Sequence, residues 1–266
     1  MRPEEYTAMY AVEDHHWWYT GMRAVFDALL GESTGSRRGA LDILDAGCGT
    51  GGNAAHLRGY GRVVGIDVAA EALACARQRP GLRLARASVE RLPFRSASFD
   101  VVLSNDVLCH LQVSDDGRAV AEFARVLRPG GVLYLQLPAF QRLTSHHDIA
   151  VHTQHRYTRP ELARLLARAG LRPRRLTYAN TLLFPAAAAW RLAHRHQSPD
   201  EVRGSDVRPA PALVDGALRL ALRAEARVLR RRDLPFGLSV IGVARKPAAP
   251  TVERTPVAAG QGERGR

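Results

Sequence analysis

Between Ile43 and Leu57 the chain reads ILDAGCGTGGNAAHL, a glycine-rich turn between an apolar run and a predicted helix. Gly47, Gly49 and Gly52 satisfy G-x-G-x-x-G, the dinucleotide pattern, while Asp45, Gly47, Gly49 and Gly51 satisfy D-x-G-x-G-x-G. Glycine lets a ligand approach the backbone closely, and a strand–turn–helix junction presents N–H groups and the positive end of a helix. Asp67, twenty residues after Gly47, ends the next predicted strand, where a carboxylate accepts hydrogen bonds from both hydroxyls of a ribose. Both patterns share these features. Asp45 is where they differ. A carboxylate inside the turn opposes a pyrophosphate but is compatible with a cationic, amine-bearing ligand.

Other residues have chemistry suited to a second substrate. His110 follows the fourth predicted strand and is placed to take a proton from a hydroxyl, or merely to shape a pocket. His146, His147, Asp148, His152, His155 and Tyr157 crowd one polar segment, with His147 a further catalytic candidate. The spacing of His152 and His155 raises the question of a metal. The segment lacks H-E-x-x-H and has the composition of an irregular loop, so no metal is expected.

These residues need a scaffold, and the apolar pattern supplies one. Residues 3–30 read as helix with a break near Glu13–Asp14. From residue 41, strand-like runs (LDILDAG, RVVGID, LRLARA, SFDVVLSND, GVLYLQLP) alternate with helical ones. That alternation predicts an α/β fold with a mostly parallel sheet covered by helices on both faces. Thr158, Pro160, Glu161 and Gly170 bracket a helix with a capping box and a glycine stop. RRLTYANTLLF reads as a further strand, residues 186–196 and 211–232 as helices, and FGLSVIGVARK as the last strand. The predicted organisation is an N-terminal helical lid over 1–40, a main domain over 41–246 with a helical acceptor cap inserted at about 139–232, and a disordered tail over 247–266.

Composition narrows the surroundings. No run approaches the length of a membrane span, and the acidic N-terminus has no apolar signal region, so a cytoplasmic location is expected. Cys48, Cys75 and Cys109 are scattered and odd in number, which argues for reduced thiols. The net charge of +12 points to an acidic partner, although Lys246 is the sole lysine among the cations. In ALVDGALRLALRAEARVLRRR, Arg219, Arg223 and Arg227 recur every four residues beside an apolar face. That stripe is a solvated helix face, or else a contact for an anionic, lipid-linked or membrane-surface partner.

Over residues 41–138 the chain resembles the class I S-adenosylmethionine-dependent methyltransferases of the type 11-like group. LDAGCGTGG matches the family's first motif and GIDVA its acidic ribose site. SVERLPFRSASFDVVLSNDVLCHL and RVLRPGGVLYLQLP match its later blocks in order and spacing. The resemblance implies a Rossmann-like seven-stranded sheet whose last strand is antiparallel, with S-adenosylmethionine as cofactor. It implies that Gly47, Cys48 and Gly49 line the methionine moiety and that Asp67 holds the ribose. Val68 would lie against the adenine, and Val89 would offer its N–H to an adenine nitrogen. Ser88 stands where the family often has an aspartate for the adenine amino group, and its hydroxyl is the weaker acceptor. Asn105 would face the methionine part. DHHWWYTGMR resembles an N-terminal segment of many such enzymes, in which Tyr19 and Arg23 share a helix face and Arg23 meets the cofactor carboxylate.

The acceptor is less defined. His146, His147, His155 and Tyr157 are the expected substrate residues, and a small molecule methylated on oxygen is the leading reading, with nitrogen and carbon as alternatives. Nucleic acid is disfavoured: the run after the fourth strand, SNDVLCHL, lacks the Asn/Asp-Pro-Pro-aromatic motif, and no Pro-Cys nucleophile is present. Two other readings stand beside this one, a nicotinamide-dependent oxidoreductase and a non-catalytic regulatory protein that binds the cofactor.

Overall fold

The computed structural model describes residues 3–34, 39–145, 148, 151–193 and 211–248. The expected disordered tail lies almost wholly outside them. Seven strands form one sheet: β1 (Leu41–Ala46), β2 (Gly61–Asp67), β3 (Arg83–Arg86), β4 (Phe99–Asn105), β5 (Leu127–Pro138), β6 (Arg172–Ala179) and β7 (Ser239–Arg245). Their spatial order is β3-β2-β1-β4-β5-β7-β6, with β7 antiparallel to both of its neighbours and the pairings from β3 to β5 parallel.

Eight α-helices are described, α1 (Pro3–Val12), α2 (Trp17–Thr34), α3 (Gly52–Leu57), α4 (Ala70–Ala76), α5 (Asp116–Val126), α6 (Arg159–Arg168), α7 (Phe184–Ala193) and α8 (Ala212–Leu229), with a single 3-10 turn at Gln141–Leu143. The break expected near Glu13–Asp14 is the hinge between α1 and α2.

The strands are apolar on both faces because both are covered. Ile43, Val101, Leu103, Tyr134, Ile241 and Val243 face one core, built with Met22, Val25, Phe26 and Leu29 of α2 and with Ala226 and Leu229 of α8. Leu44, Val102, Leu133, Leu135 and Val240 face the other, against Val120 and Phe123 of α5 and Leu162 and Leu166 of α6. The two-residue alternation in β1, β4, β5 and β7 thus divides the side chains between two layers. α6 begins as its sequence requires, with the Glu161 carboxylate accepting the Thr158 N–H at 2.7 Å.

α2 and α8 pack so closely that a Cβ on Gly21 would collide with Leu222. This close approach ties the N-terminal helices to the far end of the chain.

Two boundaries differ from expectation. The sixth strand stops at Ala179, because Asn180 adopts φ +64° and the Glu225 carboxylate of α8 accepts the N–H groups of Asn180, Thr181 and Leu182. TLLF therefore leads into α7, and Pro185 sits in its first turn, where a missing N–H costs nothing. The cap expected over 139–232 is also narrower: α6 and β6 belong to the central layers. Of the described residues that follow β6, Ala226 and Leu229 of α8 likewise pack into a central layer.

Candidate active site

β1 and β4 are neighbours whose onward connections run to opposite sides of the sheet, and in open α/β sheets ligands bind at the carboxyl ends of such strands. Two loops meet there: the glycine turn after β1 and the segment Asp106–Val113 after β4. Gly47 adopts φ +86°, and a Cβ there would collide with the side chain of Val107. The close approach of these loops thus demands glycine at this position.

The hydrogen bonds of the turn decide what it can hold. The N–H groups of Gly47 and Cys48 both donate to Ile66 O at 2.8 Å, and Gly49 N–H donates to Asp67 Oδ2 at 2.9 Å. Asp67 Oδ1 accepts the N–H of Ala69, also at 2.9 Å. Asp45, fully buried beneath the turn, accepts the N–H of Ala54 in the first turn of α3, and its Oδ2 has no partner. Burial, with the charges of Asp67 and Glu13, pushes its carboxyl up to about 7. A pyrophosphate needs free N–H groups at this turn. Here the N–H groups of Gly47, Cys48 and Gly49 are spent inside the protein and the Asp45 carboxyl lies under the helix start, which suits a cationic ligand better than a pyrophosphate.

The hinge and helix α1 lie across the turn. Met9 Cε comes within 3.3 Å of where a Cβ on Gly49 would be. Tyr6 is buried near Asp67 and Glu71, and burial ahead of those charges raises its hydroxyl to about 12. Glu13, buried in the hinge, accepts from Thr50 Oγ1 in the turn and pairs with Arg79 at 2.8 Å. Arg79 in turn stacks over the Tyr10 ring at 4.9 Å and pairs with Asp14. Burial holds the Glu13 carboxyl above its ordinary range despite these partners. Sequence reading took Glu13 only as a helix break. Its buried position over the turn has no local signal, since it depends on how α1 folds back.

Arg23 in α2 is partly buried, donates to Asn53 Oδ1 at 3.4 Å and faces Glu13 and Asp14 only loosely, at 4.0 and 3.8 Å. Its Nη2 has no hydrogen-bond partner. Tyr19, one turn earlier, is raised well above the usual phenol range by burial and by the charges of Glu13 and Asp106. The structure therefore brings Tyr19, Arg23, Asp45, Gly47, Cys48, Gly49 and Asp67 together. Cys48 is buried, and its thiol is pushed far up by burial and by Asp45 and Asp67. Val68 follows Asp67 directly, and Arg86 Nε donates to its carbonyl at 2.8 Å. Ser88 Oγ already accepts the Glu90 N–H at 3.2 Å, while the Val89 N–H has no acceptor among the described residues.

At the end of β4, Asn105 Oδ1 is buried without a partner. The next residue, Asp106, was missed by sequence reading. It adopts φ +54°, uncommon outside glycine, and accepts from Gln136 Nε2 at 3.1 Å. Asp106 is exposed by surface area, yet the protein atoms around it desolvate its carboxyl and push it up to about 6. The left-handed backbone at this position is invisible in the run SNDVLCHL.

The expected acceptor residues fare unevenly. His110 is half-buried against His152, with ring centroids 5.7 Å apart, and burial lowers it to about 4. It is neutral near pH 7 and a weak base. Tyr157 belongs to the core, not to a pocket wall: its hydroxyl donates toward Leu108 O and Asp116 Oδ2 at 3.1 and 3.0 Å. His155 stands edge-on to Tyr157 and 3.9 Å from Glu161. His146 and His147 lie outside the described residues. The segment is fixed by Arg156, buried and bonded to Asp148 at 2.8 Å and to Ala139 O at 2.9 Å.

An open groove of about 670 Å3 runs between the hinge and α8, lined by Val12, His15, Asp215, Leu220 and Arg223 among others. A second, of about 470 Å3, includes Asp42 and Phe99 at the amino ends of strands, the wrong end of such a sheet for ligands.

A family model described as a methyltransferase domain matches residues 44–135, the span that holds the turn, Asp67 and Asp106. Residues 44–135 thus match a methyltransferase domain. One curated relative, "Probable S-adenosylmethionine-dependent methyltransferase" of Mycobacterium tuberculosis strain H37Rv, is 33% identical over 159 residues, covering 58% of this chain and 56% of the relative. A malonyl-[acyl-carrier protein] O-methyltransferase of Enterobacter lignolyticus is 43% identical over 93 residues, 34% of this chain and 36% of its own. The match thus spans about half the length of the first relative and a third of the second. A chain from the complex between the Haloferax volcanii Trm112 methyltransferase activator and a methyltransferase shares the fold, with a TM-score of 0.57 at 23% identity over 91% of this chain and 98% of that one.

The residues of this methyltransferase domain fit its cofactor. The unpartnered buried atoms Asp45 Oδ2, Arg23 Nη2 and Asn105 Oδ1 border the turn, and the Asp67 oxygens each retain an accepting lone pair.

Proposed function

We propose that the protein transfers the methyl group of S-adenosylmethionine to an oxygen of a small-molecule acceptor in the cytoplasm. The observation that carries the reading is the glycine turn, whose N–H groups are spent on Ile66 and Asp67 while Asp45 and Asp67 face inward. In this reading Asp67 accepts the ribose hydroxyls, Val68 and Val89 border the adenine, and Ser88 accepts more weakly from its amino group. Arg23 Nη2 meets the cofactor carboxylate, and Tyr19 and Asn105 close that end. The cofactor supplies an electrophilic methyl on a sulfonium, so the protein's task is alignment and proton removal. Alignment alone accounts for about 7–11 kcal/mol of barrier in favourable cases.

Asp106 is the better proton acceptor of the two candidates. A carboxyl raised to about 6 is ionised at neutral pH and still basic, whereas His110 at about 4 holds a proton poorly. The O-methyltransferase relative supports oxygen as the acceptor atom.

The test is transfer of labelled methyl from S-adenosylmethionine across a panel of hydroxyl, carboxyl and amine acceptors. Product on a hydroxyl or carboxyl is expected. Asp106→Asn should lower kcat by about a hundredfold or more while affinity for S-adenosylhomocysteine changes little. Cofactor binding with no transfer to any acceptor would contradict the reading and favour a regulatory role. An undiminished kcat in Asp106→Asn would return the proton to another group.

A further inference from the structure

The long helix α8 has a face that neither the sheet nor the cofactor site uses. Leu222, Glu225, Ala226 and Leu229 bury one side against α2 and the sheet. On the opposite side Leu213 and Leu220, two turns apart, are 89% and 64% exposed, and Val214 and Val228 are about half exposed. Arg223, Arg227, Arg230, Arg231 and Arg232 stand exposed beside them and past the helix end. The acids nearby are committed elsewhere. Asp215 accepts from Trp17 N–H and pairs with Arg219, Glu225 is buried on backbone N–H groups, and Asp233 pairs with Arg175. The face is therefore aliphatic and positively charged, with no countercharge among the described residues.

We propose that this face docks the domain on an anionic membrane surface, with Leu213 and Leu220 entering the headgroup boundary and the arginines meeting lipid phosphates. Exposed leucines alternating with arginines along one helix are the pattern of an interfacial helix. Charge complementarity selects the partner. A second copy of the chain would set arginine against arginine, and a nucleic acid offers nothing to the leucines. No helix of the described residues is long and apolar enough to cross a membrane, so the contact is peripheral. The same helix abuts the hinge, where Arg219 donates to His15 O at 2.8 Å, so docking sets the groove beside the hinge against the lipid. The proposal concerns a binding surface and stands apart from the identity of the methyl acceptor.

Sedimentation of the full chain with vesicles tests it. The protein should pellet with mixed phosphatidylcholine–phosphatidylglycerol vesicles, far less with phosphatidylcholine alone, and less as salt rises. Each arginine near an anionic surface contributes about fivefold to the partition coefficient, so Arg223→Glu, Arg227→Glu and Arg231→Glu together should lower it by on the order of a hundredfold or more. Leu213→Asp with Leu220→Asp should also release the protein. Both variants should keep the parent melting temperature, because the altered side chains are exposed. Equal pelleting with neutral vesicles, no pelleting at all, or variants that bind like the parent would overturn the proposal. So would a leucine-dependent dimer that ignores vesicles, or displacement from vesicles by duplex DNA that depends on the arginines and not on the leucines.

Discussion

Asp67→Ala is expected to weaken S-adenosylhomocysteine binding by at least about ten- to a hundredfold, because hydrogen bonds to a charged group contribute about 1.5–3 kcal/mol each. The carboxylate has a second duty. Its two oxygens hold the N–H groups of Gly49 and Ala69, which fix the turn and the start of the next helix. Asparagine can accept only one of these, since its amide nitrogen would face an N–H donor. From sequence alone Asp67→Asn should be the milder change. With this geometry it should approach alanine in its effect. Calorimetric titration of both variants, with melting temperatures alongside, separates the contributions: a loss of affinity with a change of only a few degrees assigns the residue to the ligand. Unchanged affinity in Asp67→Ala would remove the residue from the site.

The second large effect belongs to Asp45 and depends on pH. In the cofactor-free protein burial and neighbouring charge raise this carboxyl to about 7. A bound cation favours the carboxylate, so binding below that pH must first release a proton. Affinity should fall as pH drops below about 7, by up to about tenfold per unit, and level off at the lower pKa of the complex. Asp45→Asn should flatten this profile and weaken binding at pH 8.

The same residue predicts the opposite effect on stability. Its folded pKa lies above the unfolded value of about 3.9, so its stabilising contribution is complete below that value and is lost as pH rises through about 7. Asp45→Asn should therefore raise the melting temperature of the cofactor-free protein at pH 8, with about 4 kcal/mol as the upper bound for a shift of this size. A variant less stable than the parent at pH 8, or a parent whose affinity ignores pH, would contradict this role.

Much of this was legible in the residues. The alternation of strands and helices gave the sheet, because both faces are covered and each strand reads as a near-continuous apolar run. Asp45, Gly47 and Asp67 stood out because their spacing is local to one strand–turn–helix unit. What was not legible depends on long-range folding. Glu13 reaches Thr50 and Arg79 only because α1 folds back at the hinge. Asp106 follows β4 in a left-handed backbone that a run such as SNDVL does not announce. Tyr157 looked like a pocket residue because its neighbours are polar, yet its ring fills the core and its hydroxyl is held by Leu108 and Asp116. The end of β6 was misplaced because Glu225, from a helix far along the chain, takes the backbone groups that would have extended it.

The central claim is that the turn after β1 receives a cation and not a pyrophosphate. Parallel titration of the full chain with S-adenosylhomocysteine and with NADH tests it most directly. Saturable binding of S-adenosylhomocysteine at a single site, undisturbed by excess NADH, is the expected result. Binding of NADH that S-adenosylhomocysteine cannot displace would contradict it.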